Sequence, residues 1–197
     1  VFFKSAIAVL SSNSGASMLP NLLDGDKVLV NKLAYDVKIP FTEISLAELS
    51  DPQRGDIVII DSERAGKRLV KRIVGIPGDT VYMQNNTLVI NGVPAVYEVL
   101  SRDSESIIIS EQLPEGAHQA RLSSRYINRS GRSYGPSAVP DDQYFVLGDN
   151  RDNSADSRIY SFVPRSEIIG RSSSVVFSLD SQNNYLPRGE RFLAGLE

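Results

Sequence analysis

Apolar residues occur along this chain in short runs that alternate with polar turn signals. Residues 27–32 (KVLVNK) alternate polar and apolar positions, which is typical of a half-buried strand. Residues 57–60 (IVII), 68–76 and 144–147 are more continuously apolar and favour buried strands. Asn-Gly at 91–92 is a strong hairpin signal. Helical periodicity is almost absent, so the pattern predicts a mostly β protein.

The same pattern divides the chain into two predicted units. Residues 1–83 and 143–197 carry most of the strand patterns and predict one β core. Within this core, residues 35–53 predict an extended ribbon or loop. Residues 84–142 predict a smaller β domain inserted into the core. It has short strand patterns at 87–90 and 93–97 and one clear strand, 107–109, in the largely polar stretch 101–140.

Composition narrows the possible classes of function. The 197 residues include no cysteine, which excludes disulfides, thiol catalysis and cysteine-bound zinc. The formal net charge of −3 argues against a general nucleic-acid binder, because such proteins carry a basic face. The one histidine, His118, lies in a turn-like polar setting (PEGAHQ), where we expect a surface side chain. A serine hydrolase with this sequence would use His118 or a base of another kind.

The first residues are moderately apolar. Residues 1–10 (VFFKSAIAVL) predict either a strand or the end of a membrane anchor. No apolar run approaches the ~20 residues that a spanning helix needs. We therefore expect that an anchor, if there is one, lies upstream of Val1.

Lys71 lies within an apolar strand pattern. A lysine acts as a general base only when it is neutral, and burial lowers its pKa from the reference value of ~10.4. In a strand, Lys71 shares its face with Leu69 and Ile73, while Arg72 points to the other face. This setting suits a buried base. It also suits an edge-strand lysine whose ammonium group reaches water, and Arg72 reads as a solvated strand charge.

Residues 148–158 (GDNRDNSADSR) form the most unusual stretch of the chain. Three aspartates, two asparagines, two serines and two arginines fall within ten residues and will not form a core. They predict a loop of Asx turns. A calcium loop is the alternative, although the glycine and the closing glutamate of an EF-hand are missing.

Three stretches in this order resemble the bacterial type I signal peptidases, membrane-bound serine proteases with a Ser/Lys dyad. They are residues 17–20 (SMLP), 71–79 (KRIVGIPGD) and 148–158. Residues 25–36 (GDKVLVNKLAYD) and 54–58 (RGDIV) also look like segments of this family. The resemblance covers nearly the whole chain, and the third stretch is its most specific part.

The resemblance implies a mechanism centred on Ser17 and Lys71. Ser17, which alone reads as one more surface serine, would attack the scissile carbonyl. Lys71 would act as the neutral general base and then as the acid for the leaving amine. Ser154 would hydrogen-bond the Lys71 amine and orient it, while Asp156 and Arg158 would pair and hold the loop.

The resemblance also implies roles for residues around the nucleophile. Asp149 would brace the loop through its backbone. The backbone N–H of Ser17 would be one donor of the oxyanion hole, and the family's second donor is a hydroxyl at the position of Gly15. Ser14 lies one position away and would substitute only if the loop is reshaped. Four apolar residues would contact the substrate: Met18, Leu22, Val58 and Val70.

The implied fold is a β core like that of the self-cleaving LexA-type repressors, with residues 1–83 and 143–197 as the catalytic part and 84–142 as the inserted β domain. The implied function is removal of signal peptides from exported pre-proteins after a small-x-small motif. This would take place on the outer, periplasmic face of the bacterial cytoplasmic membrane. The expected partners are signal peptides and membrane lipid, without nucleic acid, metal or organic cofactor.

Two other functions remain open at this level. The first is a weakly active or inactive relative that binds signal-like segments without turnover. The residues before Ser17 motivate it, because Gly15 replaces the family's hydroxyl and one lost donor costs about 10²–10³ in rate. The second and weaker alternative is a LexA-like repressor core, for which the helix-turn-helix region is missing.

Overall fold

The computed structural model describes residues 8–12, 15–38, 45–125 and 132–196. Strands dominate the described part of the chain, where one helical turn and four short 3-10 helices are the only helices. The predicted mostly β class is confirmed. The strands are β1 (Ala8–Ser12), β2 (Asp26–Asn31), β3 (Asp36–Lys38), β4 (Ser45–Glu48), β5 (Ile57–Ser62), β6 (Lys67–Gly75), β7 (Thr80–Gln84), β8 (Thr87–Ile90), β9 (Val93–Pro94), β10 (Val96–Arg102), β11 (Ser106–Leu113), β12 (Gly116–Ser123), β13 (Tyr134–Ala138), β14 (Gln143–Leu147), β15 (Val163–Pro164), β16 (Ile168–Asp180), β17 (Leu186–Pro187) and β18 (Ala194–Gly195). The helix α1 spans Ser157–Tyr160, and the 3-10 helices span Lys32–Ala34, Arg151–Asn153, Arg165–Glu167 and Gly189–Arg191.

The largest sheet is built around the long strand β16. Its strands follow the order β1-β2-β16-β5-β6-β14-β15, and β17 and β18 also pair with β16. The first part of β16 pairs with β5 and the later part with β2, both antiparallel. Residues 174–179 (SVVFSL), whose apolar pattern by itself predicts a short strand, are therefore only part of a strand of 13 residues. This arrangement brings β2, which follows the Ser17 segment, into one sheet with β6, which carries Lys71.

Both faces of this sheet are covered by apolar side chains. The run Ile57–Ile60 of β5 is buried throughout, as its continuous apolar sequence predicts. Val58 and Ile60 belong to one apolar cluster, which also contains Ile73. Ile57 and Ile59 point to the other face and pack in a second cluster. The alternation along the strand thus distributes four adjacent apolar residues between two clusters.

Two smaller sheets are formed by the strands between β6 and β14. One has the order β10-β11-β12 and the other β13-β7-β8-β9. The prediction of a single clear strand within residues 101–140 is wrong, because β12 and β13 form there as well as β11. The sequence of β12 (GAHQARLS) conceals a strand, since its buried positions are His118 and Ala120 rather than large apolar residues. The strand β7, placed in the core by the predicted division, pairs with β8 and β13, and the division into domains stays a prediction.

The ribbon expected at 35–53 is represented by β3 and β4, which pair antiparallel with Asp36 opposite Glu48. Residues 1–7, for which a strand or an anchor end was expected, lie outside the described residues. None of the helices in the described ranges is long and apolar enough to cross a membrane.

Candidate active site

Ser17 lies in the turn between β1 and β2, where its neighbours are anchored in the core. The side chains of Met18 and Leu22 are fully buried, and the N–H of Leu22 donates to the carbonyl of Met18 at 2.9 Å. Burial of an apolar side chain of this size contributes roughly 1.5–3 kcal/mol. Because both anchors follow Ser17 closely in the chain, they hold the segment after it in place while Ser17 itself stays partly exposed.

The Lys71 side chain meets Ser17 from the neighbouring part of the sheet. Its Nζ donates to Ser17 Oγ at 2.8 Å and to the carbonyl oxygen of Val70 at 2.9 Å. Lys71 is only 3% exposed, so the alternative in which it reaches water is wrong. Burial lowers the pKa of Lys71 to about 8, although the carboxylates of Asp156 and Asp149 pull it upward. A lysine with this pKa has a substantial neutral fraction near neutral pH.

Arg72 is buried and paired, in contrast to the predicted solvated charge. Its Nε and Nη2 donate to the Asp149 carboxylate at 2.9 and 3.0 Å, and Nη1 donates to the Gly55 carbonyl at 2.8 Å. Asp149 has no exposed surface. The expected brace by Asp149 runs chiefly through this carboxylate rather than through its backbone, whose carbonyl accepts one bond from the N–H of Arg121 at 2.8 Å. The sequence concealed this pair because its two members are 77 residues apart.

Asp156 and Arg158 form the predicted ion pair. Arg158 Nη2 lies 2.8 Å from Asp156 Oδ2, and both side chains are nearly inaccessible to solvent. Asp156 also accepts from the N–H of Gly148 at 3.0 Å and caps α1. Burial alone would raise the pKa of Asp156, but the hydrogen bonds and charge of Arg158 outweigh it and hold that pKa below its usual value. The pair therefore ties the two ends of the segment 148–158 together.

Ser154 does not make the bond to Lys71 that the resemblance implies. Its Oγ is buried and has no hydrogen-bond partner among the described residues. The hydroxyl lies beside the Asp156 carboxylate and helps to hold its pKa down. A Cβ placed on Gly148 would clash with Ser154 Oγ and with the carbonyl oxygen of Ser17. Glycine at 148 thus allows the loop backbone to pack directly against the nucleophile candidate.

Asn150 is a site residue for which the sequence analysis predicts no role. Its backbone N–H donates to the Ser17 carbonyl at 3.0 Å, and its Nδ2 donates to the Ala16 carbonyl at 2.9 Å. The GDN motif marked this part of the chain as unusual, but nothing in the sequence indicates what the amide holds. A second amide, Asn21 Nδ2, donates to Asp149 Oδ2 at 2.6 Å.

The proposed oxyanion donors are only partly described. The N–H of Ser17 donates no hydrogen bond to another residue of the described ranges. Gly15 is exposed with φ of 129°, and no atom lies within 4 Å of the position a Cβ would take. Ser14 lies outside the described residues. The site therefore has room for a side chain at position 15 in a backbone conformation that favours glycine.

The four apolar residues expected to contact substrate lie in the core. Met18, Leu22 and Val58 have no exposed surface, and Val70 is 9% exposed. Met18, Leu22 and Val70 belong to one apolar cluster beneath the Ser17 segment. Burial of apolar side chains of this size stabilises the core, and their contact with substrate stays a prediction.

The predicted location of His118, in a surface loop, is wrong. His118 is 5% exposed on β12, with Nε2 3.3 Å from Glu111 Oε1 and 4.0 Å from Asp149 Oδ1. Burial lowers the pKa of His118 against the opposing pull of Glu111. No bond joins it to Ser17 within the described part of the chain. No group of three or more His, Asp or Glu side chains in that part is arranged to hold a metal ion.

Comparisons with known proteins define the class of this chain. A family model described as "Signal peptidase, peptidase S26" matches residues 1–177. The match makes the chain a peptidase, a hydrolase of the serine endopeptidase class. The chain belongs to the signal peptidase family.

Individual relatives agree with this membership. A signal peptidase I of Pseudomonas aeruginosa is 33% identical over 193 residues, which cover 89% of this chain and 67% of the relative. Signal peptidase I P of Bacillus subtilis subsp. natto is 35% identical over 167 residues, covering 84% and 75%. A crystal structure of a signal peptidase I from Enterococcus faecalis is 32% identical, covers 62% of this chain and 97% of that chain, and has a TM-score of 0.39.

Proposed function

We propose that this protein is a membrane-associated serine endopeptidase that removes signal peptides from exported pre-proteins, with Ser17 as the nucleophile and Lys71 as its general base. The observation that carries the proposal is the 2.8 Å contact between Lys71 Nζ and Ser17 Oγ in a buried setting. Family membership and the names of the relatives support the substrate class. Preference for a small-x-small motif before the cleaved bond follows from the resemblance.

Each step of the reaction follows from this pair. Neutral Lys71 accepts the proton of the Ser17 hydroxyl while Ser17 Oγ attacks the scissile carbonyl carbon. The protonated lysine then donates that proton to the leaving amine, and an acyl-enzyme remains. Lys71 next accepts a proton from water while that water attacks the ester carbonyl carbon. It returns this proton to Ser17 Oγ as the acyl bond breaks, which releases the carboxyl product and regenerates Ser17 and neutral Lys71. With a pKa of about 8, roughly a tenth of the lysine is neutral at pH 7.

The surrounding charges favour this balance. Arg72 and Arg158 pair with Asp149 and Asp156, so the two carboxylates nearest to Lys71 carry their own counter-ions. The carboxylates therefore raise the pKa of Lys71 less than unpaired carboxylates would, and desolvation, which lowers this pKa, remains the dominant effect. The two ion pairs and the buried lysine thus act together to supply a base near neutral pH.

The tetrahedral intermediate needs donors for its oxyanion. The N–H of Ser17 serves as one donor in this proposal. Gly15 stands where the family supplies a hydroxyl two residues before the nucleophile, so the second donor is missing at this position. Ser14 would substitute only if the loop is reshaped. Ser154, close to Gly148 and Asp156, is proposed to orient the Lys71 amine during the reaction.

Membrane association is supported by apolar side chains beside the site. Arg191 donates to Asp26 at 2.6 Å and to the Asn21 carbonyl at 2.8 Å, which fixes the C-terminal segment against the loop that follows Ser17. This segment exposes four apolar side chains, here called the C-terminal apolar group. They are Tyr185 (67% exposed), Leu186 (54%), Phe192 (65%) and Leu193 (63%). Exposed apolar side chains that are concentrated in one segment suit a membrane or protein contact. We propose that this group rests on the outer face of a bacterial cytoplasmic membrane.

A second candidate is a relative that binds signal-like segments with little or no turnover. Two observations favour it. Gly15 offers no hydroxyl at the oxyanion position, and Ser154 Oγ makes no hydrogen bond to Lys71 within the described residues.

One experiment separates the two. The purified protein is incubated with a pre-protein in detergent or lipid, and the cleaved bond is mapped by mass spectrometry. We expect cleavage by the parent and none by Ser17→Ala or Lys71→Ala with an intact fold. Lys67→Ala is the matched control, because Lys67 lies exposed on the same strand, and it should cleave. Full activity of Lys71→Ala contradicts the mechanism, whereas signal-peptide binding without cleavage by the parent favours the second candidate.

A further inference from the structure

A buried ionic cluster joins the sheet β10-β11-β12 to the segment 148–158. Glu111 of β11 has no exposed surface, and Arg151 is 1% exposed. Arg151 Nη1 and Nη2 donate to the two Glu111 carboxylate oxygens at 2.7 and 2.6 Å. The hydroxyl of Tyr97 on β10 donates to the same carboxylate at 2.7 Å, and His118 on β12 lies beside it. All three strands of the sheet therefore contribute a side chain to the cluster that holds Arg151 in position.

Arg151 connects this cluster to the backbone next to the nucleophile. Its Nε donates to the Gly148 carbonyl at 3.2 Å. Gly148 packs so closely against the Ser17 carbonyl oxygen that a Cβ there would clash. The N–H of Asn150 donates to that same carbonyl. A shift of Arg151 would therefore move the backbone on which Ser17 rests.

The backbone of β12 adds a second connection. The N–H of Arg121 donates to the Asp149 carbonyl at 2.8 Å, and Arg121 and Asn150 form an isolated parallel bridge. The segment Gly148–Asn150 thus lies between β12 on one side and Ser17 on the other. Contacts on both sides restrict it to one position.

A contribution to stability does not account for the buried ion pair between Glu111 and Arg151. Replacement of a buried ion pair by apolar residues of similar volume is often neutral or stabilising, because desolvation of two charges offsets their attraction. An apolar pair could not, however, hold the Gly148 carbonyl. The retained charges fit a role in fixing geometry.

We propose that Glu111 is a positioning residue for the nucleophile: it fixes Arg151, which fixes the Gly148–Asn150 backbone against which Ser17 lies. The inference rests on the proposed function in one respect, the role of Ser17 as nucleophile. It assigns to the sheet β10-β11-β12 a part in catalysis, although none of its side chains contacts the dyad.

The charges around Glu111 determine how Glu111→Gln should change the pH–rate curve. Arg151, His118 and Tyr97 face the carboxylate, and Asp149 and Arg72 lie next to His118. Burial alone would raise the pKa of Glu111, but Arg151 holds it well below its usual value. In Glu111→Gln the Arg151 cation loses its carboxylate partner. The added positive potential disfavours protonated Lys71, so its pKa should fall and the pH–rate curve should move to lower pH.

The test compares three proteins in the cleavage of a pre-protein. Glu111→Gln should lower kcat by about ten- to a hundredfold with little change in KM, because a small misplacement of a reacting group costs up to about 10²-fold. Glu105→Gln is the matched control, since Glu105 pairs with Arg125 on the surface of the same region, with both side chains more than half exposed. Its kcat and pH–rate curve should equal those of the parent. Glu111→Gln with parental kcat and only a lower Tm would overturn the proposal.

A double variant keeps the test valid if Glu111→Gln folds poorly. Glu111→Gln/Arg151→Gln removes both buried charges and should recover Tm and the parental pH midpoint. Its kcat should stay low, because the bond from Arg151 Nε to Gly148 is lost. Recovery of kcat together with Tm would show that the pair is only structural.

A second readout is independent of cleavage. Crystal structures of the parent and of Glu111→Gln give the distance between Ser17 Oγ and Lys71 Nζ, which is expected to lengthen in the variant. If the parent never cleaves a pre-protein, the proposed function fails and this distance still decides the inference. An unchanged dyad and an unchanged Gly148–Asn150 backbone in the variant would overturn it.

Discussion

At Lys71, two opposing effects set the properties of the proposed base. Desolvation favours the neutral amine, and the carboxylates of Asp156 and Asp149 favour the ammonium form. Desolvation dominates, because Arg158 and Arg72 neutralise the two carboxylates at close range. These effects explain how a lysine serves as the base in a chain whose one histidine, His118, packs against Glu111.

Position 15 provides a test at the same scale. Gly15→Ser supplies a hydroxyl where the family has one, and Gly15→Ala is its matched control. Both substitutions carry the same backbone penalty, about 1–3 kcal/mol, because φ at Gly15 is 129°. We expect Gly15→Ser to cleave a pre-protein faster than Gly15→Ala by up to about 10²-fold, the contribution of one oxyanion donor. The measurement is kcat/KM for both variants.

Two outcomes would contradict this assignment. Equal rates for the serine and alanine variants would show that no donor is missing at position 15. A loss of activity in Ser14→Ala, combined with equal rates at position 15, would place the second donor at Ser14 and shift the alignment of the loop by one residue.

Individual residues show how far the sequence alone could go. Ser17 and Lys71 were predicted as partners from the resemblance and are found in contact. The positions of Arg72 and His118 were wrong, because local sequence describes a side chain's own strand but not what packs on it from a distant segment. The partner of Arg72 lies 77 residues away, and His118 is covered by Glu111 and the loop at Asp149.

At the scale of elements, the segment 148–158 is the part that joins the site together. It contributes Asp149 to the Arg72 pair beside Lys71, and Asn150 to the backbone beside Ser17. Adjacent residues of one loop therefore hold the base and the nucleophile. The sequence predicted a polar loop here, but it could not show that most of the loop's charges are buried and paired, since composition alone favours exposure.

The side chain of Asn150 is the simplest way to test this element. Asn150→Ala removes the 2.9 Å bond to the Ala16 carbonyl and leaves the backbone bond to Ser17 in place. One hydrogen bond contributes about 0.5–1.5 kcal/mol, so kcat/KM should fall by up to about tenfold. Asn183→Ala, in the exposed C-terminal segment, is the control and should retain parental activity. An unchanged rate in Asn150→Ala would show that the amide does not position the nucleophile.

At the scale of the whole molecule, the pairing of distant strands could not be predicted. The strand patterns at 27–32, 57–60 and 68–76 located β2, β5 and β6 correctly, because alternation and apolar runs are local signals. The placement of β16 between β2 and β5 depends on contacts across the length of the chain. The C-terminal apolar group was not predicted either, since its position beside the site depends on the anchoring of Arg191 to Asp26.

The proposed membrane contact gives a prediction at this scale. Phe192→Ser/Leu193→Ser should weaken binding to phospholipid vesicles by at least about tenfold, because each apolar side chain contributes roughly 1.5–3 kcal/mol when buried. Cleavage of a short soluble peptide should be unchanged. Val96→Ser/Val99→Ser is the control, since both valines are exposed on β10, in the sheet without the C-terminal segment. Equal vesicle binding by the parent and both variants, measured by sedimentation, would contradict the assignment of the membrane surface.

The pH dependence of kcat/KM for a pre-protein tests the central claim most directly. If neutral Lys71 is the base, activity should rise about tenfold per pH unit below its pKa and level off above it. Burial places that midpoint at a pKa of about 8, well below the ~10.4 of a solvated lysine. A rise with its midpoint near pH 8 is the predicted result. A rate that stays flat from about pH 6 to 10, or that rises only near the pKa of a solvated lysine, would contradict the account.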